Sequence, residues 1–181
     1  NNIEYITIAS TGNSVDFGNL TVVRETPGGN VASPTRGIIA GGDSPSEVNS
    51  IEYITIATLG NANDFGDLTL ARIEPAGFSN TTRGLFACGG DPYNNTIDYI
   101  TIATLGNAAN FGDATNSPRA LGGLASSTRG IVAGGTPDAS TLLNTIQYVS
   151  IATQGDAVDF GDLITARRDF ASLSNDHGGL G

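Results

Sequence analysis

One phrase recurs four times along this chain: IEYITIA at 3–9, IEYITIA at 51–57, IDYITIA at 97–103 and IQYVSIA at 146–152. Each copy is followed by a Phe-Gly, at Phe17, Phe65, Phe111 and Phe160, and then by an Arg, at Arg24, Arg72, Arg119 and Arg167. Three copies run on into TRGIIAGG (35–42), TRGLFACGG (82–90) and TRGIVAGG (128–135). A motif repeated at a nearly fixed period is a structural module, since each unit buries its apolar face only against its neighbours. That constraint removes a tempting reading of Asp64-Phe65-Gly66. A kinase Asp-Phe-Gly occurs once and works with a strand lysine, and this chain has no Lys.

Within a unit the pattern is that of strands, with no helical periodicity. Alternation in the second unit puts Ile51, Tyr53, Thr55 and Ala57 on one face and Glu52, Ile54 and Ile56 on the other. Both faces are mostly apolar and β-branched, so the strand is expected to be covered on both sides. LGNANDFG supplies a turn and then Phe65 as an aromatic plug. GDLTLAR (66–72) reads as a second strand, AGFSN (76–80) as a third and TRGLFACGG as a fourth. Small residues in the fourth suggest the crowded position nearest an axis. Four short strands per unit fit a propeller blade, whose repeats run about 40–50 residues, better than a β-solenoid, whose turns are shorter. The expected fold is all-β: one domain over 1–181, a β-propeller of four four-stranded antiparallel blades. The repeat units are about 1–48, 49–94, 95–143 and 144–181. The first unit lacks a fourth strand of its own, and the last residues begin one at His177-Gly178. The C-terminal strand is therefore expected to complete the N-terminal blade and close the ring. The alternatives are a segment of a larger propeller and completion of blades between chains.

At this point the chain resembles a known family. A small residue and Gly-Gly after an apolar strand, at Ala40-Gly41-Gly42, Cys88-Gly89-Gly90 and Ala133-Gly134-Gly135, is similar to the kelch repeat. Tyr53 and Tyr99 stand where kelch units often carry Tyr. Phe65 and Phe111 stand where most carry Trp, a departure. The fuller repeat text, TRG-apolar-apolar-AGG followed by IxYITIATxGNAxDFGDLTxAR, is similar to repeats in marine bacteriophage tail and tail-fibre proteins. This resemblance implies a virion or extracellular location, other virion proteins as neighbours, and attachment to a host surface.

Composition narrows the chemistry. The net charge is −10 and all eight basic residues are Arg, so an anionic backbone is repelled and nucleic acid is not an expected partner. No apolar run approaches the roughly 20 residues of a membrane helix, so no membrane insertion is expected. No Met opens the chain, which reads as a mature product or a piece of something longer. Cys88 is the single cysteine and His177 the single histidine. Zinc or copper sites built from such ligands, including the two-His copper site of a kelch-like oxidase, are not expected. A Ser-His-Asp triad would have to use His177, and no G-x-S-x-G elbow exists. The acid pairs Asp64/Asp67 and Asp159/Asp162 are the right type for calcium, but Asn replaces an acid in two units, which suits turn capping better. No cofactor or metal is expected.

The remaining residues divide into scaffold and loops. Tyr5, Tyr53, Tyr99 and Tyr148, with Phe17, Phe65, Phe111 and Phe160, read as structural repeat residues. Arg36, Arg83 and Arg129 could ring an anion, but are expected to bind acids or carbonyls of their own or the next blade. Asn19, Asn80 and Asn94 head Asn-x-Ser/Thr sequons, which matter only in a glycosylating host. Between units the loops vary most, in DSPSEVNS (43–50), DPYNNT (91–96) and TPDASTLLNT (136–145). Recognition sits on loops carried by a rigid scaffold. Asp43, Glu47, Asp91, Tyr93 and Asp138 are therefore the candidate ligand-binding residues. The functional expectation is a non-enzymatic structural or recognition module of a phage tail fibre or similar appendage, binding a host glycan or protein, with homo-oligomers allowed. A bacterial surface propeller binding a protein partner, and a polysaccharide hydrolase or lyase, are the alternatives.

Overall fold

The computed structural model describes residues 1–25 and 29–174. Its fourteen strands lie in four antiparallel sheets, with no helix among the described residues. The first sheet pairs β1 (Asn2–Tyr5) with β2 (Val15–Asn19). The second contains β3 (Gly29–Ala32), β4 (Arg36–Ala40), β5 (Ser50–Thr55) and β6 (Asn63–Asp67) in sequence order. In the third are β7 (Ala76–Ser79), β8 (Arg83–Ala87), β9 (Thr96–Thr101) and β10 (Ala109–Asp113). β11 (Gly122–Ala125), β12 (Arg129–Ala133), β13 (Thr145–Ser150) and β14 (Val158–Asp162) form the fourth. Each four-stranded sheet thus takes two strands from one sequence repeat and two from the next.

The sheets meet along β3, β7 and β11, which contact one another in turn. The Ala-Gly-Gly strand was expected at this junction, and the third strand of the repeat is found there instead. Close approach explains it. A Cβ on Gly77 of β7 would run into the backbone of Asn30, and one on Gly123 of β11 would come 2.9 Å from the Gly77 carbonyl oxygen. The second strand also differs from expectation. It is NDFGD (63–67) rather than GDLTLAR, so Asp-Phe-Gly lies in a strand and the turn precedes it. The register of β5 and β6 slips between Ile51 and Glu52, leaving Phe65 as the extra residue of a bulge. The bulge turns Phe65 inward, where it is buried and meets Tyr53 edge-on at 6.0 Å. Tyr5–Phe17, Tyr99–Phe111 and Tyr148–Phe160 repeat the arrangement at 6.2, 5.8 and 6.0 Å.

Two apolar clusters fill the spaces between sheets. Val31, Ile38, Phe65, Phe86, Ile100 and Ile102 join the second sheet to the third. Phe78, Leu85, Phe111, Val132, Val149 and Ile151 join the third to the fourth. At about 25 cal/mol per Å2, apolar area of this kind is the main force holding one sheet on the next. A main-chain clasp reinforces it. The turn between β9 and β10 sends Gly106 N–H to Phe65 O (2.9 Å) and Ala108 N–H to Asp67 O (2.7 Å) on the preceding sheet. Asn107 Oδ1 accepts the Asp67 N–H at 3.1 Å. The same three bonds join Gly60, Asn61 and Ala62 to Phe17 and Asn19, and Gly155, Asp156 and Ala157 to Phe111 and Asp113. Coverage on both faces, expected for every Tyr strand, stops at the second sheet: Ile56 is 46% exposed, whereas its counterparts Ile102 and Ile151 are buried. The two-stranded first sheet offers too little surface to cover it. His177 and the rest of the C-terminal strand expected to complete that sheet lie outside the described residues.

Candidate functional site

The loops that leave the sheets do so through a left-handed residue. After Ala40, Ala87 and Ala133, the next residue takes φ 72° (Gly41), 61° (Cys88) and 64° (Gly134). Its N–H donates to Ser50 O, Thr96 O and Thr145 O respectively. Cys88 therefore stands in the place of the first glycine, and the repeat pair is Cys88-Gly89, not Gly89-Gly90. The following glycine donates across to the neighbouring unit, from Gly42 to Arg72 O, Gly89 to Pro118 O and Gly135 to Arg167 O. These bonds set each post-glycine loop beside the post-Arg loop of the next unit, so both loop sets share one end of the sheets.

They also correct the alignment of the arginines. Pro118, not Arg119, is the counterpart of Arg24, Arg72 and Arg167. Arg24 and Arg72 are fully buried and paired with acids of the next Tyr strand: Arg24 Nη2 to Glu52 Oε1 at 2.6 Å, and Arg72 Nη2 to Asp98 Oδ2 at 2.5 Å. Thr21 and Thr69 each donate an N–H and a hydroxyl to the same carboxylates. Between the third and fourth units both charges vanish together. Pro118 removes the guanidinium and Gln147 replaces the acid, its Oε1 accepting from Thr115 N–H at 2.7 Å. A buried ion deprived of its partner costs several kcal/mol, about 3–5, so the two exchanges belong together.

Arg119, one residue later, is left on the loop face. Its guanidinium lies 3.6 Å from Glu74 Oε2, 3.9 Å from Asp91 Oδ2 and 4.8 Å from the centre of the Tyr93 ring. Glu47 Oε1 accepts the Asp91 N–H at 2.5 Å. Two of the five candidate residues, Asp91 and Tyr93, thus meet Arg119 of the next unit, and Glu47 of the preceding unit joins them through the Asp91 backbone. Asp43 is tied to Glu47 through a backbone bridge. Asp138 stands apart: its Oδ1 accepts the N–H groups of Ser140 (2.8 Å) and Thr141 (2.7 Å), which hold its carboxyl down at about 2. Thr136, whose hydroxyl donates to Asp138 O and Thr141 O, exchanges main-chain bonds with Arg119 at 3.0 Å. Beside Arg119 a cavity of about 160 Å3 is bounded by Glu74, Thr136, Arg168 and Asp169. An aromatic face, a guanidinium and several carboxylates in one shallow surface suit hydroxyl-rich or mixed-charge partners.

Sequence reasoning missed Arg119 and Glu74. The signal was the extra residue before Arg119, together with Gln147 where Glu52 and Asp98 carry acids.

The repeated Thr-Arg positions lie at the opposite end of the sheets. Arg36 Nη1 donates to Ile102 O and Arg83 Nη1 to Ile151 O, each at 2.7 Å across a sheet boundary. Arg36, Arg83 and Arg129 also stack over Tyr53, Tyr99 and Tyr148 at 4.7, 4.7 and 4.8 Å. Among the described residues no three His, Cys, Asp or Glu side chains converge as metal ligands, Asp64, Asp67, Asp159 and Asp162 included. Asn80 caps its turn by accepting the Thr82 and Arg83 N–H groups. Cys88 is buried in the apolar cluster, and burial pushes its thiol up to about 12. Neither a protein-family model nor a curated protein matches the chain.

Proposed function

We propose that the sheets are kelch-like propeller blades, four to the chain, with the C-terminal strand of one copy completing the N-terminal blade of another, and that the protein is a non-enzymatic recognition module of a phage tail fibre or similar virion appendage. Its ligand is a glycan or protein of the host surface. The observation that carries this reading is the convergence of Glu47, Asp91, Tyr93 and Arg119, drawn from loops of neighbouring repeats, on one end of a scaffold whose strands scarcely vary. Variable loops on an invariant frame are how binding surfaces are diversified. Tyr and Arg are the residue types that dominate such surfaces. A shallow site of this size binds weakly, and many copies on one appendage raise the avidity.

The test is a host-cell and glycan-array binding assay on the 181-residue chain, with Tyr93→Ala and Arg119→Ala beside it. The expected result is binding to a host surface that both variants lose while keeping the parental melting temperature. Absence of binding to any host surface, or binding indifferent to both substitutions, would count against the reading.

A further inference from the structure

The sheet-to-sheet clasp occurs three times, and at the ends of the series it is left half made twice. On β14, Phe160 is 54% exposed, whereas Phe17, Phe65 and Phe111 are buried beneath the next hairpin turn. Cβ atoms built on Gly18, Gly66 and Gly112 strike the docked turn, while one on Gly161 meets nothing. At the other end stands the β1–β2 turn, Thr11-Gly12-Asn13-Ser14, whose residues match Leu59-Gly60-Asn61-Ala62. Neither Gly12 nor Ser14 donates a main-chain bond among the described residues, whereas Gly60 and Ala62 both do. Ile8, the counterpart of the buried Ile102 and Ile151, is 94% exposed.

We propose that β14 of one chain receives the β1–β2 turn of a second copy, so that copies associate head to tail through a fourth instance of the clasp. The groups correspond one for one. Gly12 N–H meets Phe160 O as Gly106 meets Phe65; Ser14 N–H meets Asp162 O as Ala108 meets Asp67; Asn13 Oδ1 accepts the Asp162 N–H as Asn107 accepts that of Asp67. Charge matches as well. Arg167 occupies the position of Arg24 and Arg72, and Glu4 that of Glu52 and Asp98, so the joint contains a third Arg–acid pair. Ile164 stands where Thr21 and Thr69 donate a hydroxyl, so this pair has one hydrogen bond fewer. Arg129, already stacked on Tyr148, faces Ile8 O as Arg36 faces Ile102 O and Arg83 faces Ile151 O. The interface joins unlike surfaces, so it generates rings or filaments rather than an isologous pair. It stands independently of what the loop face binds.

Sedimentation velocity of the 181-residue chain, from low micromolar to millimolar, tests this. The expected result is mass that rises with concentration, beyond a dimer. Gly161→Ala places a Cβ where the incoming turn must lie, and Asn13→Ala removes its acceptor from an exposed turn. Gly161→Ala is expected to leave the chain monomeric, and Asn13→Ala to weaken association at least several-fold, with parental circular dichroism in both. Exchange of Glu4 and Arg167 (Glu4→Arg with Arg167→Glu) is expected to restore association lost in either single reversal. A chain monomeric throughout the range overturns the proposal, and protection of the Gly12 and Ser14 amides in that monomer would show the chain closing on itself. Association unchanged by both Gly161→Ala and Asn13→Ala overturns it too.

Discussion

Replacing Asp98 by Asn should cost this small fold a large share of its stability. Asp98 and Arg72 are both fully buried, 2.5 Å apart. Burial alone lowers the guanidinium's pKa, and the Asp98 carboxylate opposes that shift. Every group in the pair has a partner. Arg72 also donates to Cys88 O at 3.2 Å and Thr96 O at 2.9 Å, and Asp98 also receives the Thr69 N–H at 2.9 Å and hydroxyl at 2.7 Å. Asn keeps the shape and can still accept the Thr69 N–H, with the Thr69 hydroxyl turned to accept from its amide, but it leaves a cation in the core with neutral acceptors only. The loss expected for breaking such a pair is about 3–5 kcal/mol. Arg72→Met should cost about the lower end of that range, because Thr69 still serves the carboxylate. Combining the two changes should be less damaging than their sum, by roughly 1–3 kcal/mol, since no unpaired charge then remains. The joint between the third and fourth units already contains such a neutral version in Pro118 and Gln147. Urea unfolding followed by far-ultraviolet circular dichroism measures each step, as a midpoint shift at constant slope. A loss under about 1 kcal/mol for Asp98→Asn, or strict additivity in the double variant, would refute the reasoning.

Other consequences are as direct. Gly66→Ala should lower the melting temperature clearly more than Gly161→Ala: both residues have φ near 143°, but only at Gly66 does the added Cβ strike the Gly106–Asn107 backbone. Overpacking of that kind costs about 1–3 kcal/mol, and equal shifts would contradict the clasp. The Cys88 thiol, pushed up to about 12 by burial, should stay silent to a thiol reagent at neutral pH until denaturant is added, and immediate labelling would contradict its burial. Its linkage runs one way. Above the ordinary value of 9.0 the unfolded thiol ionises while the folded one keeps its proton, so stability falls as pH rises from 9.0 towards about 12. Cys88→Gly should lose that slope and accept the left-handed φ, and an unchanged slope would place its source elsewhere. Asp138, held down at about 2 by the Ser140 and Thr141 amides, should titrate by NMR well below free aspartate, and Ser140→Pro should raise it. A titration near 4 would contradict the loop geometry.

Much of this was legible in the repeat itself. Four Tyr strands, four aromatic partners and an all-β chain follow from a motif that recurs with strand periodicity. Strand order was harder. GDLTLAR alternates well, yet Leu68 and Thr69 leave the sheet because Thr69 and Arg72 are drawn to Asp98 on the next one. A long-range ion pair overrides local propensity there, and no window of sequence contains both partners. The junction strand was misassigned because small residues fill two strands of each unit, and close approach alone separates them. The candidate site was half legible. Variable loops pointed to Glu47, Asp91 and Tyr93, but Arg119 was hidden by counting it among the structural arginines. One inserted residue turned a buried position into an exposed one.

Amide hydrogen exchange, resolved by residue in dilute solution, tests the repeated clasp most directly. Gly60, Ala62, Gly106, Ala108, Gly155 and Ala157 each donate to the preceding sheet at 2.7–2.9 Å, while Gly12 and Ser14, the same positions of the first unit, donate to nothing described. The six should exchange slowly, with protection rising towards the global unfolding free energy, and Gly12 and Ser14 should exchange as freely as a surface loop. Equal, fast exchange at all eight positions would mean that the sheets are not joined in this way.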